Sequence, residues 1–339
     1  MTRTQTSSSL PVTLLQLMTG HWVTQAVYIA AKLGVADLLA KGLTRCDDLA
    51  AATHCDAPSL YRVLRALASV GVFSEVSADS FAITPLANLL RSGTPESMRA
   101  LAILYAEESY WAWGDLLYTV RTGRSAFERQ FGMGVFEFFA DNPDSGTVFQ
   151  EAMSALMIRV ADAVTSAYDF SAFTTVVDVG GSQGTLLAAI LRRNPALRGI
   201  LFDLPHVVNG AAPVFATSGV QDRCARVAGD FFDRIPPGGD AYILASVLHD
   251  WDDSRCATIL RHCRTVVPRN GKLLIVEFVL PAGNEPCFGK WVDLQMLVMA
   301  SGRERSAGEY DALLRAAGFE LTRVVPTTAG KSIVEAAPA

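Results

Sequence analysis

Hydrophobic residues follow two different patterns along the chain, and the change from one pattern to the other predicts two domains. From residue 10 to about 165 the apolar positions recur every three or four residues, as in amphipathic helices. The clearest case lies within 49–73, where helical spacing joins Leu60, Val63, Leu64, Leu67 and Val70. From about residue 174 short continuous apolar runs alternate with helical segments. We therefore predict a mostly helical domain over 1–165 and an α/β domain over 166–339.

The apolar runs of the second domain are typical of strands that are buried on both faces. They are TTVVDVG (174–180), GILFDLP (199–205), RVAGDFF (226–232), AYILASVL (241–248) and KLLIVEFVLP (272–281). Helical segments at 184–193, 253–267 and 308–319 are interspersed with them. This alternation indicates a parallel sheet with helices on both sides. The final segment, LTRVVPTTAGKSIVEAA (321–337), predicts a closing hairpin.

The helical domain contains a helix-turn-helix followed by a small wing. Pro58 lies near the start of its second helix, Gly71 just past the end, and a turn, SEVSADS (74–80), separates two short apolar pieces. Such a unit could bind DNA, but the three arginines and three aspartates between 44 and 70 cancel. A recognition helix usually carries a basic excess. With a net charge of −5 for the whole chain, we expect dimerisation or lid packing, and no nucleic-acid partner.

The composition indicates that part of the helical domain's apolar surface is buried against another subunit. Half of the residues are hydrophobic and only 19% are charged, which favours large surfaces buried within domains or between subunits. Residues 10–31 contain no Asp, Glu, Lys or Arg, yet polar residues interrupt the apolar run too often for a membrane span or a signal peptide. We expect a helix buried against a second subunit, preceded by a frayed polar tail over 1–9.

The six cysteines include no C-x-x-C pair, and no His/Cys/Asp cluster has the spacing of metal ligands. Reduced thiols in the cytoplasm, and no metal, are the simplest interpretation.

The strongest chemical motif is VVDVGGSQGTLL (176–187), a strand, a glycine-rich turn and a helix. Gly180, Gly181 and Gly184 allow a sharp turn and a close approach of a ligand to the backbone. The helix N-terminus offers N–H groups to a carboxylate or phosphate. Asp178, directly before the glycines, would repel a pyrophosphate and attract an ammonium group. This favours S-adenosylmethionine over NAD.

Two further acids follow the next strands. Asp203, with Leu204 beside it, lies 25 residues after Asp178, where an acid can accept hydrogen bonds from two ribose hydroxyls. Asp230 and Phe231 follow the third strand, where a carboxylate and a ring could hold an adenine. Each acid alone could be a helix cap or a solvated loop residue. Their succession at strand ends favours a nucleoside pocket.

A possible catalytic group follows the fourth strand, in SVLHDWDD (246–253), which brings His249 and Asp250 to the mouth of the same crevice. A phenol has a pKa near ~10 and histidine near ~6.5, so bare imidazole is a weak base for it. A carboxylate on the second ring nitrogen would fix the tautomer and stabilise the imidazolium. Glu277 and Glu304 are the candidates for that carboxylate.

The motifs DVGGSQG, LFDLP, GDFF, VLHDWDD, the strand with Glu277, and GRERS (302–306) occur in an order that resembles the caffeate- and hydroxyindole-type O-methyltransferases. The resemblance covers nearly the whole chain and extends to the bacterial branch that modifies phenazines, polyketides and other aromatic natural products. It implies a class I Rossmann-like catalytic domain, a winged-helix dimerisation domain, a homodimer, S-adenosylmethionine as cofactor and no metal.

The resemblance also assigns roles to individual positions. His249 corresponds to the family's base, and Glu277 and Glu304 to its flanking carboxylates. By this resemblance Gly180, Asp203, Asp230, Phe231 and Ser246 correspond to cofactor contacts, and the motifs add Asp178, Gly181 and Leu204 to the expected cofactor site. Met153, Met157 and Met299 fall where the family lines its acceptor pocket, although ordinary core packing is an equal explanation for these methionines. Asp250, beside His249, is expected on the acceptor side as well. Ser182 stands where the family often has glycine, which matters if the backbone there has a positive φ.

Three alternatives remain. The same fold could methylate nitrogen or carbon, or use the cofactor for decarboxylation or hydroxylation. The chain could be an NAD-dependent oxidoreductase, or a winged-helix regulator with a sensing domain. The sequence does not specify the acceptor.

Overall fold

The structure, a computed structural model, describes residues 9–339. The predicted polar tail therefore lies outside the described residues, apart from its last position. The chain divides into two compact units. The first takes in the chain up to Trp111 together with Asp141–Ala155, and the second consists of Ala112–Ala140 and Leu156–Ala339. The predicted domain boundary after residue 165 stays a prediction.

The part of the chain before residue 168 is mostly helical, as expected. Its helices are α1 (Leu10–Met18), α2 (Gly20–Lys32), α3 (Val35–Ala40), α4 (Cys46–Thr53), α5 (Ala57–Ser69), α6 (Pro85–Asn88), α7 (Arg99–Ala106), α8 (Glu108–Gly114), α9 (Leu116–Thr122), α10 (Ala126–Phe131), α11 (Val135–Asp141) and α12 (Pro143–Ala167). An antiparallel ribbon of β1 (Phe73–Ser77) and β2 (Ser80–Ile83) forms the wing.

Helix α5 shows how the sequence builds the helix-turn-helix. The Asp56 side chain accepts a hydrogen bond from the Ser59 N–H at 3.0 Å and caps the first turn. Leu60, Leu64 and Leu67 form the buried face, as their spacing predicts. The wing differs from the prediction, because β1 continues to Ser77 and shortens the predicted turn between the strands to residues 78 and 79.

The remainder of the chain is an α/β structure. Its strands are β3 (Thr175–Val179), β4 (Arg198–Asp203), β5 (Cys224–Ala228), β6 (Ala241–Ala245), β7 (Lys272–Glu277), β8 (Phe319–Pro326) and β9 (Ser332–Pro338). Its helices are α13 (Thr185–Arg193), α14 (Pro205–Val208), α15 (Ala212–Ser218), α16 (Asp253–Val266), α17 (Gly289–Ala300) and α18 (Ala307–Ala316), with short 3-10 turns at Asn209–Ala211, Gln221–Arg223 and Leu248–Asp250.

These strands form one sheet in the order β5-β4-β3-β6-β7-β9-β8. The pairs from β5 to β7 are parallel, and β9 pairs antiparallel with both β7 and β8. All five residues of β6 are buried, as expected for a central strand covered on both faces. One hydrophobic cluster includes α13 and the other includes α16, so helices cover both sides. The predicted fold class is confirmed.

Candidate active site

The candidate residues lie at the carboxyl edge of the parallel strands. From β3 the chain proceeds to β4 and β5 on one side, whereas β6 and β7 lie on the other side. The strand order therefore reverses between β3 and β6. Ligands of open α/β sheets bind in the crevice outside the strands' carboxyl ends at such a reversal.

The turn after β3 is held in an unusual backbone conformation. Gly180, Ser182 and Gly184 all have positive φ, at 69°, 53° and 77°. The N–H of Ser182 donates to Asp203 Oδ2 at 2.8 Å, and the N–H of Leu204 donates to Asp203 Oδ1 at 2.7 Å. The carboxylate at the end of β4 thus fastens the glycine turn. The condition under which Ser182 matters is met, because it occupies a conformation that favours glycine.

Asp178 lies beneath the turn and not in the open crevice. Its side chain is 1% exposed, and a Cβ added to Gly181 would come within 2.5 Å of its carboxyl group. Within residues 9–339 neither of its carboxyl oxygens has a hydrogen-bond partner. Burial, reinforced by the charge of Asp203, raises the pKa of Asp178 to about 7. The group can therefore influence a bound cation through its charge, across the turn.

Aromatic side chains border the same turn. A Cβ on Gly180 would lie 3.5 Å from the Phe231 ring, so that ring contacts the glycine turn. The Phe232 ring packs edge-on against Phe231 and Trp251, with ring centroids 4.9 Å apart in both pairs. Asp230 accepts the Phe232 N–H at 2.7 Å, which orients this segment. The arrangement provides an apolar wall of rings with a carboxylate at its edge.

His249 lies in the 3-10 turn Leu248–Asp250, two residues beyond the end of β6, and its side chain is buried. Its Nδ1 is 2.7 Å from Glu304 Oε1. Because a carboxylate only accepts, we assign the proton of the neutral ring to Nδ1 and the free lone pair to Nε2. The backbone N–H of Glu304 donates to Asp293 at 2.9 Å, which fixes the glutamate. Nε2 lies 3.7 Å from Asp250 Oδ1.

The charges around His249 make it a stronger base than free histidine. Burial alone would lower its pKa, but Asp250 and Glu304 outweigh burial and raise the pKa to about 9. Burial raises the pKa of Asp250 itself to about 6. A base near 9 is well matched to a phenol near ~10.

Glu277, the second candidate carboxylate, faces the backbone of the His249 loop. Its Oε1 accepts the backbone N–H groups of Val247, Leu248 and His249 at 3.0, 2.7 and 3.2 Å. Its Oε2 accepts the Tyr310 hydroxyl at 2.5 Å. Of the two candidate glutamates, therefore, Glu304 contacts the imidazole, whereas Glu277 holds the loop that carries it.

Ser246 and Lys331 meet at the same edge. Ser246 follows β6 with a φ of 57°, and the Lys331 ammonium donates a hydrogen bond to its hydroxyl. Lys331 stands in the turn before β9, which pairs Ser332 with Glu277 at the end of β7. Sequence reasoning missed Lys331, because its segment was recognised only as a hairpin. It also missed Tyr310, whose single useful signal was its helical spacing.

The three predicted pocket methionines are not equivalent. Met299 on α17 is buried, and Met157 packs on the hydrophobic cluster that includes α13. Met153 lies on the part of α12 that belongs to the other unit. Core packing accounts for the partial burial of Met157, and contact of any of the three methionines with an acceptor stays a prediction.

Among residues 9–339, no group of His, Cys, Asp and Glu side chains could hold a metal ion. No described helix is both long and apolar enough to cross a membrane.

Comparison with known proteins gives a consistent result. Residues 113–320 match the O-methyltransferase domain family, and residues 15–93 match the O-methyltransferase dimerisation domain. The chain is 54% identical to the phenazine O-methyltransferase of Lysobacter antibioticus over 100% of both chains. It superimposes on the crystal structure of LaPhzM with a TM-score of 0.95 and 55% identity, over 98% of this chain and 100% of that one.

A second solved structure shows bound ligands. An O-methyltransferase from neocarzinostatin biosynthesis, solved with S-adenosyl-L-homocysteine and 1,4-dihydroxy-2-naphthoic acid, is 32% identical. The match covers 93% of this chain and 96% of that one, with a TM-score of 0.80.

Proposed function

The chain belongs to the O-methyltransferase family and carries that family's dimerisation domain, and from this premise we propose that it methylates a hydroxyl group of a small aromatic natural product. The observation that carries the proposal is the buried His249–Glu304 pair at the carboxyl end of β6. Family membership confirms the predicted enzyme class, and it decides against the oxidoreductase and the winged-helix regulator.

The methyl donor is S-adenosylmethionine, which supplies an electrophilic methyl group on a sulfonium when it is bound. The residues at the carboxyl ends of β3 and β6, where the strand order reverses, fit this cofactor. The positive-φ turn around Gly180 lets a ligand approach the backbone, and the Asp178 carboxylate below it has no partner within the described chain. We propose that Asp203 and Leu204 hold the ribose, that Asp230 and Phe231 hold the adenine, and that Gly181 and Ser246 complete the pocket.

The chain's own part in the reaction is to move one proton. In our proposal Nε2 of His249 accepts the proton of the acceptor's hydroxyl, and Glu304 on Nδ1 stabilises the resulting imidazolium. The oxygen becomes a nucleophile where the methyl donor is bound, so positioning supplies much of the acceleration. Glu277 is a positioning residue that holds the His249 loop, and in this proposal Asp250, Met157 and Met299 line the acceptor side.

An acceptor screen tests this proposal. The purified chain is incubated with S-adenosylmethionine and phenazine, naphthalene and anthraquinone hydroxyl compounds, and products are identified by mass spectrometry and NMR. We expect the mass gain of one methyl group on oxygen. Methylation only on nitrogen or carbon, or loss of carboxyl instead of gain of methyl, would support the alternatives.

The cofactor is tested separately by thermal unfolding, because a specific ligand raises the melting temperature. S-adenosylhomocysteine should raise it and NADH should not. We also propose a cytoplasmic location, in line with six free cysteines among the described residues.

A further inference from the structure

A short segment between α17 and α18, residues 302–305, lies directly against the 3-10 turn that carries His249. The backbone N–H of Arg303 donates to the carbonyl oxygen of His249 at 2.8 Å. The Glu304 side chain contacts the imidazole of the same residue. Gly302 lies closer still to that carbonyl oxygen. The segment therefore supplies the carboxylate partner of the ring and also contacts the backbone from which the ring extends.

The close approach at Gly302 requires a residue without a side chain. Gly302 has no positive φ, so an alanine could adopt its backbone conformation. A Cβ there would nevertheless lie 2.1 Å from the carbonyl oxygen of His249 and 2.7 Å from the carbonyl carbon of Asp250. These are backbone atoms, which cannot rotate away as a flexible side chain can. One of the two segments would have to move.

Both segments are anchored on the sides that face away from this contact. The Arg305 carbonyl accepts the Leu280 N–H at 3.0 Å, which fixes the segment to the chain beyond β7. Glu277 holds the His249 turn through three backbone N–H groups. A displacement forced at Gly302 therefore acts on the bonds that join the segments, and the imidazole–carboxylate hydrogen bond is one of them.

The Arg305 guanidinium holds the carbonyl side of the turn. This side chain is 1% exposed, and it donates to the carbonyls of Leu248 and Trp251 at 3.2 and 3.0 Å. Asp253 Oδ1 accepts from its Nε and Nη2 at 3.0 and 2.7 Å and balances the buried charge. The planar fork binds both carbonyls at once, which a lysine ammonium does not reproduce. Glu277 holds the N–H groups of the turn, and Arg305 holds its carbonyls.

Building on the proposed function, we propose that Gly302 and Arg305 are positioning residues that set the place of the His249 ring against Glu304, and with it the aim of Nε2 at the acceptor's hydroxyl. Gly302 acts by leaving room for the turn, and Arg305 acts through its two carbonyl contacts. Neither takes part in the proton transfer itself. A displacement of about 1 Å at a reacting group can cost about 10²-fold in rate, so small shifts of the ring matter.

A change of one methyl group tests Gly302. Gly302→Ala is compared with Gly308→Ala in α18, where a Cβ meets no heavy atom of the described chain within 4 Å outside its own helix. Gly302→Ala should lower kcat roughly 10–100-fold at neutral pH and leave the affinity for S-adenosylhomocysteine unchanged. Gly308→Ala should change neither quantity. Wild-type kcat in a folded Gly302→Ala would contradict the inference.

The same substitution in a His249→Ala background distinguishes positioning from general damage to the fold. Without the imidazole there is no ring to position, so Gly302→Ala should cause no further loss of kcat there. Arg305→Lys, which keeps the buried cation, should lower kcat in the wild type and not in His249→Ala. It decides the question if Gly302→Ala does not fold. An equal loss in both backgrounds would contradict the inference.

Proton NMR tests the geometry without turnover. The Nδ1 proton of His249, bonded to buried Glu304, should give a downfield resonance that is absent from His249→Ala. Gly302→Ala should move this resonance upfield, and Gly308→Ala should leave it in place. An unchanged resonance in Gly302→Ala would overturn the inference. If the wild type methylates no acceptor in any screen, the proposed function fails, while the NMR comparison still decides on Gly302.

Discussion

At the scale of single residues, the proton on His249 determines when the site can act. The neighbouring carboxylates raise its pKa to about 9, so at neutral pH the imidazole is mostly protonated. A protonated imidazole cannot accept the acceptor's proton. The same pairing that makes His249 a strong base therefore shifts the active form of the enzyme to alkaline pH.

We expect kcat/KM of the wild type to rise with pH and to level off near pH 9, where Nε2 of His249 becomes free.

His249→Ala should bind S-adenosylhomocysteine normally but lose roughly 10²–10⁴-fold in turnover at neutral pH. The loss should shrink as pH nears the acceptor's own pKa. Glu304→Gln removes a charge that raises the histidine pKa, so its profile should level off at lower pH. Near-normal turnover by His249→Ala at pH 7 would show that another group accepts the proton.

Ser182 carries backbone strain that the sequence could only mark as conditional. At a φ of 53° its side chain costs roughly 1–2 kcal/mol relative to a relaxed conformation. Ser182→Gly should therefore raise the free energy of unfolding by about 1 kcal/mol, measured by thermal or urea unfolding. Ser218→Gly, at the end of α15, is the control and should stabilise nothing. A loss of stability in Ser182→Gly would mean that the serine makes a compensating contact.

At the scale of elements, one buried carboxylate, that of Asp178 at the segment β3–glycine turn–α13, affects both the stability of the fold and the binding of the cofactor. Asp178 titrates near pH 7 in the folded chain, above its ordinary value of 3.8. Folding therefore favours its protonated form. The contribution of the protonated carboxyl to the free energy of unfolding is complete at pH below 3.8 and is lost as pH rises through about 7.

At pH 8 the buried Asp178 carboxyl is ionised, which costs folding free energy. Asp178→Asn should remove that cost and raise the melting temperature of the ligand-free protein at pH 8, by roughly 2–4 °C for each kcal/mol recovered. The variant should also lose affinity for cationic S-adenosylmethionine, and the wild type's affinity should increase between pH 6 and 8. Calorimetry across pH and unfolding scans measure both effects. A melting temperature that falls at pH 8 would show that the ionised group has a partner that stabilises it.

The same elements show what could be predicted from the sequence. Apolar runs located β3, β4, β6 and β7, because buried parallel strands are hydrophobic on both faces. The end of β5 was placed too late, since RVAGDFF runs on into the loop of Asp230. The insertion of β9 between β7 and β8 could not be predicted, because pairing partners distant in sequence leave no local pattern.

Candidate catalytic residues could be predicted where a sequence motif directly follows the end of a strand. His249 and Glu304 lie on different segments, and only the fold brings them within 2.7 Å. The sequence could not decide between Glu277 and Glu304, because the choice depends on which carboxylate faces backbone N–H groups. Lys331 carried no motif, and its position follows from the β7–β9 pairing alone.

At the scale of the whole molecule, the apolar surface of α1 and α2 requires a partner. Leu10, Leu17 and Trp22 are 86%, 75% and 65% exposed in the single chain, and none of the residues of α1 is buried. A contiguous surface of this kind marks an interface. The match of residues 15–93 to the dimerisation domain identifies that partner as a second copy, in agreement with the predicted homodimer.

We expect the wild type to be a stable dimer at micromolar concentration in sedimentation velocity. The double variant Leu14→Glu/Leu17→Glu places two charges on a helix that a partner must desolvate, so it should be monomeric and more prone to unfold. Val120→Glu is the matched control, because Val120 is 67% exposed on α9 outside the dimerisation domain, and it should remain dimeric. Melting temperature should rise with protein concentration for the wild type and the control only. A monomeric wild type would contradict the assignment, and so would a double variant that stays dimeric, since the apolar face of α1 would then have another occupant.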